Sequence, residues 1–183
     1  MGIGTKLNGT LRSFIERQHL FFVATAAPQG RVNLSPKGMD TLRIVSDTRI
    51  VWLNLSGSGN ETAAHLRESN RMTLMFCAFE GDAMILRLYG KAETLHPGDP
   101  GWDAAAADFP ALAGSRQIFD MEIEMLQTSC GTGVPLMPFA KSRGEEELLP
   151  FFEEMGSDGV RDYWQRKNSA SIDGKPTGIL DNR

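Results

Sequence analysis

Alternation of apolar and polar residues along the chain predicts short β-strands joined in hairpins. An apolar strand at residues 20–27 is followed by a Pro-Gln-Gly turn, and residues 31–35 return alongside it before Pro36-Lys37-Gly38 ends the strand. A second hairpin pairs residues 41–45 with residues 49–55. Because hairpins pair their strands antiparallel, the first third of the chain predicts an antiparallel sheet.

Three longer strands follow, at residues 72–79, 83–94 and 116–127. The first is almost wholly apolar, which predicts burial on both faces. Gly90 interrupts the second and indicates a bulge or bend. The third alternates and predicts one face exposed to water. Apolar residues at helical spacing predict helices at residues 5–18, 60–69, 102–108, 145–155 and 158–167.

The functional prediction centres on a strand, a loop and a helix between Arg49 and Leu66. The strand ends at Ser56-Gly57-Ser58-Gly59, and Asn60 is placed to cap the helix that follows. Free backbone N–H groups at a helix start favour anions. Two features oppose a phosphate here, since Glu61 lies in the first turn and the loop contains no Lys or Arg. The countercharge must therefore come from elsewhere in the chain.

Composition and charge narrow the possible partners and compartment. The 183 residues suffice for one domain with a sizeable core. With 19 Lys and Arg against 23 Asp and Glu, the net charge of −4 argues against nucleic acid or an anionic membrane as a partner. The first residues lack the apolar core of a signal peptide, and no apolar run approaches the roughly 20 residues of a membrane span, so the cytoplasm is the expected location.

Signatures of metal and nucleophilic catalysis are missing from the sequence. The three histidines match no metal spacing, and there is no H-E-x-x-H, C-x-x-C or G-x-S-x-G pattern. Two cysteines, Cys77 and Cys130, do not suggest a disulfide framework. No catalytic residue is identified, which fits either a non-enzymatic binding protein or an enzyme whose chemistry belongs to a cofactor.

The order of elements predicts a mainly β fold with peripheral helices, as a small antiparallel barrel or sandwich. The segments F-F-V-A-T-A-A-P-Q-G-R-V-N-L-S-P-K-G and S-G-S-G-N-E-T-A-A-H-L, in this order, resemble the pyridoxamine 5′-phosphate oxidase-like flavoproteins over about residues 5–127. Two later segments, T-S-C-G-T-G-V-P-L-M and K-N-S-A-S-I-D-G, resemble a bacterial subgroup related to that oxidase.

This resemblance implies an antiparallel split β-barrel that binds FMN at the interface of a homodimer. It implies a single domain over residues 1–183, with a loop and helical C-terminal extension from about residue 128. Nine positions of this sequence match flavin-binding positions of such proteins: Arg31, Asn33, Ser35 and Lys37 on one side, Trp52 and Asn54 on the next strand, and Ser58, Asn60 and Thr62 for the phosphate. Arg31 and Lys37 would supply the countercharge that the loop lacks.

The expected function is an FMN-dependent oxidoreductase that acts on an unidentified small substrate. The oxidases themselves place basic residues in the phosphate loop and this chain does not, so the pyridoxamine phosphate reaction is not assigned. An alternative is a cofactor-binding or cofactor-free dimer for sensing or storage, or a relative that binds deazaflavin or haem. Neither nucleic acid nor a membrane is an expected partner.

Overall fold

The computed structural model describes residues 2–181 and contains one eight-stranded antiparallel sheet. The strand order is β3-β2-β6-β7-β8-β5-β4, and β1 pairs with β8. The sheet curls into a half-barrel, so the predicted split-barrel architecture is confirmed. Its strands are β1 (Gly2–Gly4), β2 (Leu20–Thr25), β3 (Asn33–Gly38), β4 (Leu42–Ile44), β5 (Arg49–Leu55), β6 (Arg71–Cys77), β7 (Ile85–Leu95) and β8 (Ser115–Ser129).

Both predicted hairpins are present, but β3 is longer than the sequence indicated. It continues through Pro36 and Lys37 to Gly38, where the prediction ended it at Ser35. The strand lies at one end of the sheet order, and proline is tolerated in an edge strand because one side of the strand needs no ladder hydrogen bonds. Lys37 consequently shares a face with Asn33 and Ser35, since alternate residues of a strand point to the same side.

The bulge predicted at Gly90 is confirmed. The register between β7 and β8 shifts between Tyr89 and Gly90. A Cβ atom at Gly90 would lie 1.9 Å from the backbone oxygen of Glu122, so only glycine allows this close approach. The strand β6 differs from its prediction, because its residues alternate between buried and partly buried positions and are not buried on both faces throughout.

In the described part of the chain, four helices lie around the sheet: α1 (Gly9–Glu16), α2 (Glu61–Leu66), α3 (Trp102–Ala106) and α4 (Leu149–Lys167), the last preceded by a π-helical turn (Gly144–Leu148). The helix α1 is shorter than the predicted residues 5–18. It begins only after Asn8, whose side chain caps it by accepting a hydrogen bond from the Leu11 N–H at 2.9 Å. Gly156, at φ 67° and ψ 172°, interrupts α4 between the two helices that the sequence predicted.

Apolar residues of the sheet and of α1 form the main core, in which Trp52, Phe76 and Phe119 are almost completely buried. A second cluster, the C-terminal core, consists of Phe152, Val160, Trp164 and Ile179. This cluster places the end of α4 against the loop that follows β5. Within residues 2–181, no helix combines the length and apolar character that crossing a membrane requires.

Candidate functional site

A cleft of about 350 Å³ lies between β3, the end of β5 and the loop at residues 56–60. Its volume falls in the lower part of the range of small-molecule sites, about 300–1,000 Å³. The strand β3 turns its polar face towards the cleft, and Leu34, on the opposite face of the strand, is exposed. Seven of the nine residues predicted for the site line it: Asn33, Ser35, Lys37, Asn54, Ser58, Asn60 and Thr62.

Arg31 is not among the lining residues. Its side chain is largely exposed and forms an ion pair with Asp173 of the C-terminal segment. The Arg31 backbone N–H also donates to Asp173 Oδ2 at 2.7 Å. The backbone hydrogen bond and the guanidinium of Arg31 hold the pKa of Asp173 below its usual value. Arg31 thus attaches the C-terminal segment to the β2–β3 hairpin, and its place beside a cofactor stays a prediction.

Trp52 also lies outside the cleft lining. Its side chain is completely buried and stacks on Phe119, with a ring-centroid distance of 4.5 Å. The Nζ atom of Lys37 lies 5.5 Å from the centroid of the Trp52 ring, a cation–π distance. The tryptophan therefore contacts the lysine from the core side, and its approach to a cofactor stays a prediction.

Two basic residues, Lys37 and Arg116, supply positive charge to the cleft. Burial and the nearby Arg116 guanidinium lower the pKa of Lys37 to about 8, and burial lowers the pKa of Arg116 to about 10. The Lys37 side chain forms no hydrogen bond or ion pair with any residue of 2–181. Arg116 is buried and Lys37 is half-buried. Because charges withdrawn from water are normally paired, two neighbouring cations without a carboxylate partner indicate a site for an anion.

Arg116 is the site residue that sequence reasoning missed. It is the second residue of β8, and the β5–β8 pairing places Gln117 opposite Asn54. With its amide oxygen turned towards the arginine, Asn54 accepts from Arg116 Nε at 3.1 Å and from Nη2 at 3.0 Å. Nη1 is buried without a hydrogen-bond partner in the described part of the chain. Asn54 thus orients the guanidinium and leaves one nitrogen for a ligand.

The loop at residues 56–60 is fixed by hydrogen bonds to other segments. Ser56 donates to the Gly114 backbone oxygen through its N–H at 2.7 Å and its Oγ at 2.6 Å. Asn60 occupies the predicted N-cap position of α2, but its side chain makes no capping hydrogen bond. Its Nδ2 instead donates to the backbone oxygen of Asn168 at 3.2 Å, because the C-terminal segment lies against the loop.

Glu61 carries the negative charge that would repel a phosphate, and its carboxylate is hydrogen-bonded to the C-terminal segment. Its carboxylate accepts from the backbone N–H of Ile172, with distances of 3.0 Å and 3.2 Å to its two oxygens. The carboxylate therefore already has a donor. On the other side of the cleft, Asn33 Nδ2 donates to Thr62 Oγ1 at 3.2 Å, so β3 is joined directly to the start of α2.

Comparison with known proteins identifies the family. Residues 7–130 match the family model described as pyridoxamine 5′-phosphate oxidase. A protein of Aspergillus flavus, the pyridoxamine 5′-phosphate oxidase family protein ustO, is 33% identical over 186 residues, which are 93% of this chain and 75% of that protein. The chain belongs to the pyridoxamine 5′-phosphate oxidase family. The predicted resemblance is therefore confirmed.

Solved structures of bacterial proteins have a similar fold. The H111A variant of HupZ from Group A Streptococcus superposes with a TM-score of 0.55 and 19% identity, and the match covers 67% of this chain and 98% of that one. A proposed pyridoxamine 5′-phosphate oxidase from Lactobacillus delbrueckii gives a TM-score of 0.54 at 13% identity, over 68% of this chain and 95% of that one. At these identities the likeness concerns the fold.

The lining of the cleft consists largely of amide, hydroxyl and basic side chains. Its lining contains Glu61 as a carboxylate and, in the described part of the chain, neither histidine nor cysteine. Among residues 2–181, no group of three or more His, Cys, Asp or Glu could hold a metal ion. Its amide and hydroxyl side chains and its two cations, one buried and one half-buried, match the chemistry of a phosphorylated, hydroxyl-rich cofactor.

Proposed function

We propose that the chain is an FMN-binding flavoprotein that transfers electrons to or from a small substrate. The observation that carries the proposal is the pair of cleft cations, Lys37 and Arg116, without a carboxylate partner. FMN carries a phosphate that is a dianion at neutral pH, and its ring system supplies the redox chemistry when it is bound. Membership of the pyridoxamine 5′-phosphate oxidase family supports the same cofactor.

Seven of the lining residues have a role in this proposal. Lys37 and Arg116 neutralise the phosphate, and Ser58, Asn60 and Thr62 lie beside it on the loop and at the start of α2. The polar face of β3, with Asn33 and Ser35, would donate and accept hydrogen bonds along the rest of the cofactor. Burial strengthens these interactions, because charge-assisted hydrogen bonds gain from a low local dielectric.

The proposal includes a homodimer. Val32 lies directly before the edge strand β3, and Leu34 is the second residue of that strand. The two residues expose 75% and 64% of their surface. Apolar side chains along an unpaired strand edge favour association with another chain. Sedimentation equilibrium should give twice the mass of the chain, and Leu34→Lys should shift the mass towards that of a monomer. A wild-type monomer at micromolar concentration would contradict this part of the proposal.

A visible absorption spectrum of the purified protein, taken before and after incubation with FMN and desalting, tests the cofactor. We expect a retained flavin spectrum that corresponds to one FMN per chain. Lys37→Met should lose most of this flavin, while Lys6→Met, at an exposed position before α1, should retain it. A wild-type protein that keeps no FMN would refute the proposal, and a retained deazaflavin or haem spectrum would identify one of the alternative cofactors.

A further inference from the structure

The C-terminal helix holds the loop of the cleft through three hydrogen bonds. Trp164 donates from its indole Nε1 to Ser56 Oγ at 2.7 Å. Asn168 donates from Nδ2 to the backbone oxygen of Gly57 at 2.8 Å. In the opposite direction, Asn60 Nδ2 donates to the Asn168 backbone oxygen at 3.2 Å. The two residues of the helix end thus contact the beginning, the middle and the end of the loop.

These three hydrogen bonds lie at buried or partly buried positions, and neighbouring residues of the C-terminal segment stabilise them. Asn168 is the C-cap residue directly after α4, and its backbone N–H donates to the Trp164 backbone oxygen at 2.8 Å, so both residues lie together at the helix end. Trp164 belongs to the C-terminal core, and Asn168 is completely buried. The Asn168 backbone oxygen also accepts from Thr177 Oγ1 at 2.6 Å. Both residues lie outside the segment 7–130 that matches the family model, so they are additions to the barrel that carries the cleft.

The sequence of the loop explains why such support matters. Ser56-Gly57-Ser58-Gly59 contains two glycines, which have more backbone freedom than any other residue. Ordering a flexible loop when a ligand binds lowers affinity, because the lost conformational entropy opposes binding. Hydrogen bonds from a packed helix fix the loop beforehand. The affinity for the part of a ligand that contacts the loop therefore depends on α4.

We propose that Trp164 and Asn168 are positioning residues that hold the loop at residues 56–60 in its phosphate-binding conformation, so that the C-terminal segment determines the preference for FMN over unphosphorylated riboflavin. This inference rests on the proposed function for its ligand. The ordering of the loop is independent of the ligand, because it is a property of the protein without cofactor.

The test compares Asn168→Ala and Trp164→Phe with the wild type. Trp102→Phe on α3 is the matched control, because it also removes an indole, and among residues 2–181 that indole donates no hydrogen bond to the loop. Dissociation constants for FMN and riboflavin are measured by quenching of flavin fluorescence. We expect each of the two variants to weaken FMN binding about tenfold, with riboflavin affinity changed less than about twofold. Equal losses for both flavins, or unchanged FMN affinity, would overturn the proposal.

Hydrogen exchange at the amides of residues 57–60, in protein without flavin, provides the second measurement. We expect faster exchange there in Asn168→Ala and Trp164→Phe than in the wild type or in Trp102→Phe. Unchanged loop exchange would refute the positioning role whatever the flavin titrations show. Wild-type protein that binds no FMN, with loop exchange accelerated as expected, would refute the proposed function and leave the positioning role of α4 intact.

Discussion

Replacing Lys37 by methionine should have opposite effects on the stability of the flavin-free protein and on FMN binding. Methionine has a similar length and no charge, and Lys37 has no hydrogen-bond partner within residues 2–181 that its loss would leave unsatisfied. The substitution therefore removes the buried charge with little change in packing. A residue that serves only stability would not separate the two quantities in this way.

The lowered pKa of Lys37 sets the size of the stability effect. Burial lowers this pKa from 10.5 to about 8, and each pKa unit corresponds to about 1.4 kcal/mol, which gives roughly 3 kcal/mol of destabilisation at pH 7. The cation–π contact with Trp52 offsets up to about 1 kcal/mol of this, and partial solvent access reduces it further. We expect Lys37→Met to raise the free energy of unfolding without FMN by about 1–2 kcal/mol.

FMN affinity should change in the other direction. A hydrogen bond to a charged group contributes about 1.5–3 kcal/mol, so Lys37→Met should weaken FMN binding roughly 10- to 100-fold and leave riboflavin binding nearly unchanged. Urea unfolding of the flavin-free protein and fluorescence titration with both flavins measure the two effects, with Lys6→Met as the control. A destabilised Lys37→Met protein, or one with wild-type FMN affinity, would refute the reasoning.

Three further predictions follow from the cleft and the sheet. Arg116→Gln should keep a donor for Asn54 and lose the charge, so that titration shows FMN affinity reduced roughly tenfold or more; an unchanged constant would exclude Arg116 from the phosphate site. FMN binding to the wild type should weaken up to about tenfold per pH unit above pH 8, because the phosphate anion prefers protonated Lys37. The variant Lys37→Arg, which stays charged, should remove this pH dependence between pH 8 and 9.5. A wild-type FMN affinity that does not change with pH would contradict the assignment. Gly90→Ala should lower the free energy of unfolding by about 3 kcal/mol, since its Cβ would meet the Glu122 backbone oxygen at 1.9 Å, whereas Gly133→Ala meets no atom within 4 Å and should have little effect on urea unfolding.

Local signals in the sequence were enough to predict the barrel strands and the loop of the cleft. Alternation and turn residues located the two hairpins, and Gly90 marked the bulge because a strand interior rarely accommodates glycine without such a cause. The Gly/Ser break after β5 likewise marked the loop that lines the cleft. These features depend on neighbours in sequence, which is why periodicity and turn chemistry could detect them.

Features of the site that depend on distant segments could not be predicted. Arg116 reaches the cleft through the pairing of β5 with β8, and no local pattern distinguishes it from an ordinary residue at the start of a strand. Arg31 was predicted on the same strand face as Asn33, but its guanidinium forms an ion pair with Asp173, which lies 142 residues further along the chain. Trp52 lies in the core, where burial of its large apolar ring stabilises the fold, and the strand pattern alone does not predict this position.

Titration calorimetry of the flavin-free wild-type protein with FMN and with riboflavin tests the central claim most directly. If Lys37 and Arg116 form a phosphate site, FMN should bind with one site per chain and at least about 100-fold more tightly than riboflavin, because two charge-assisted contacts each contribute about 1.5–3 kcal/mol. Inorganic phosphate should compete with FMN. Equal affinities for the two flavins, or no binding of FMN, would contradict the account.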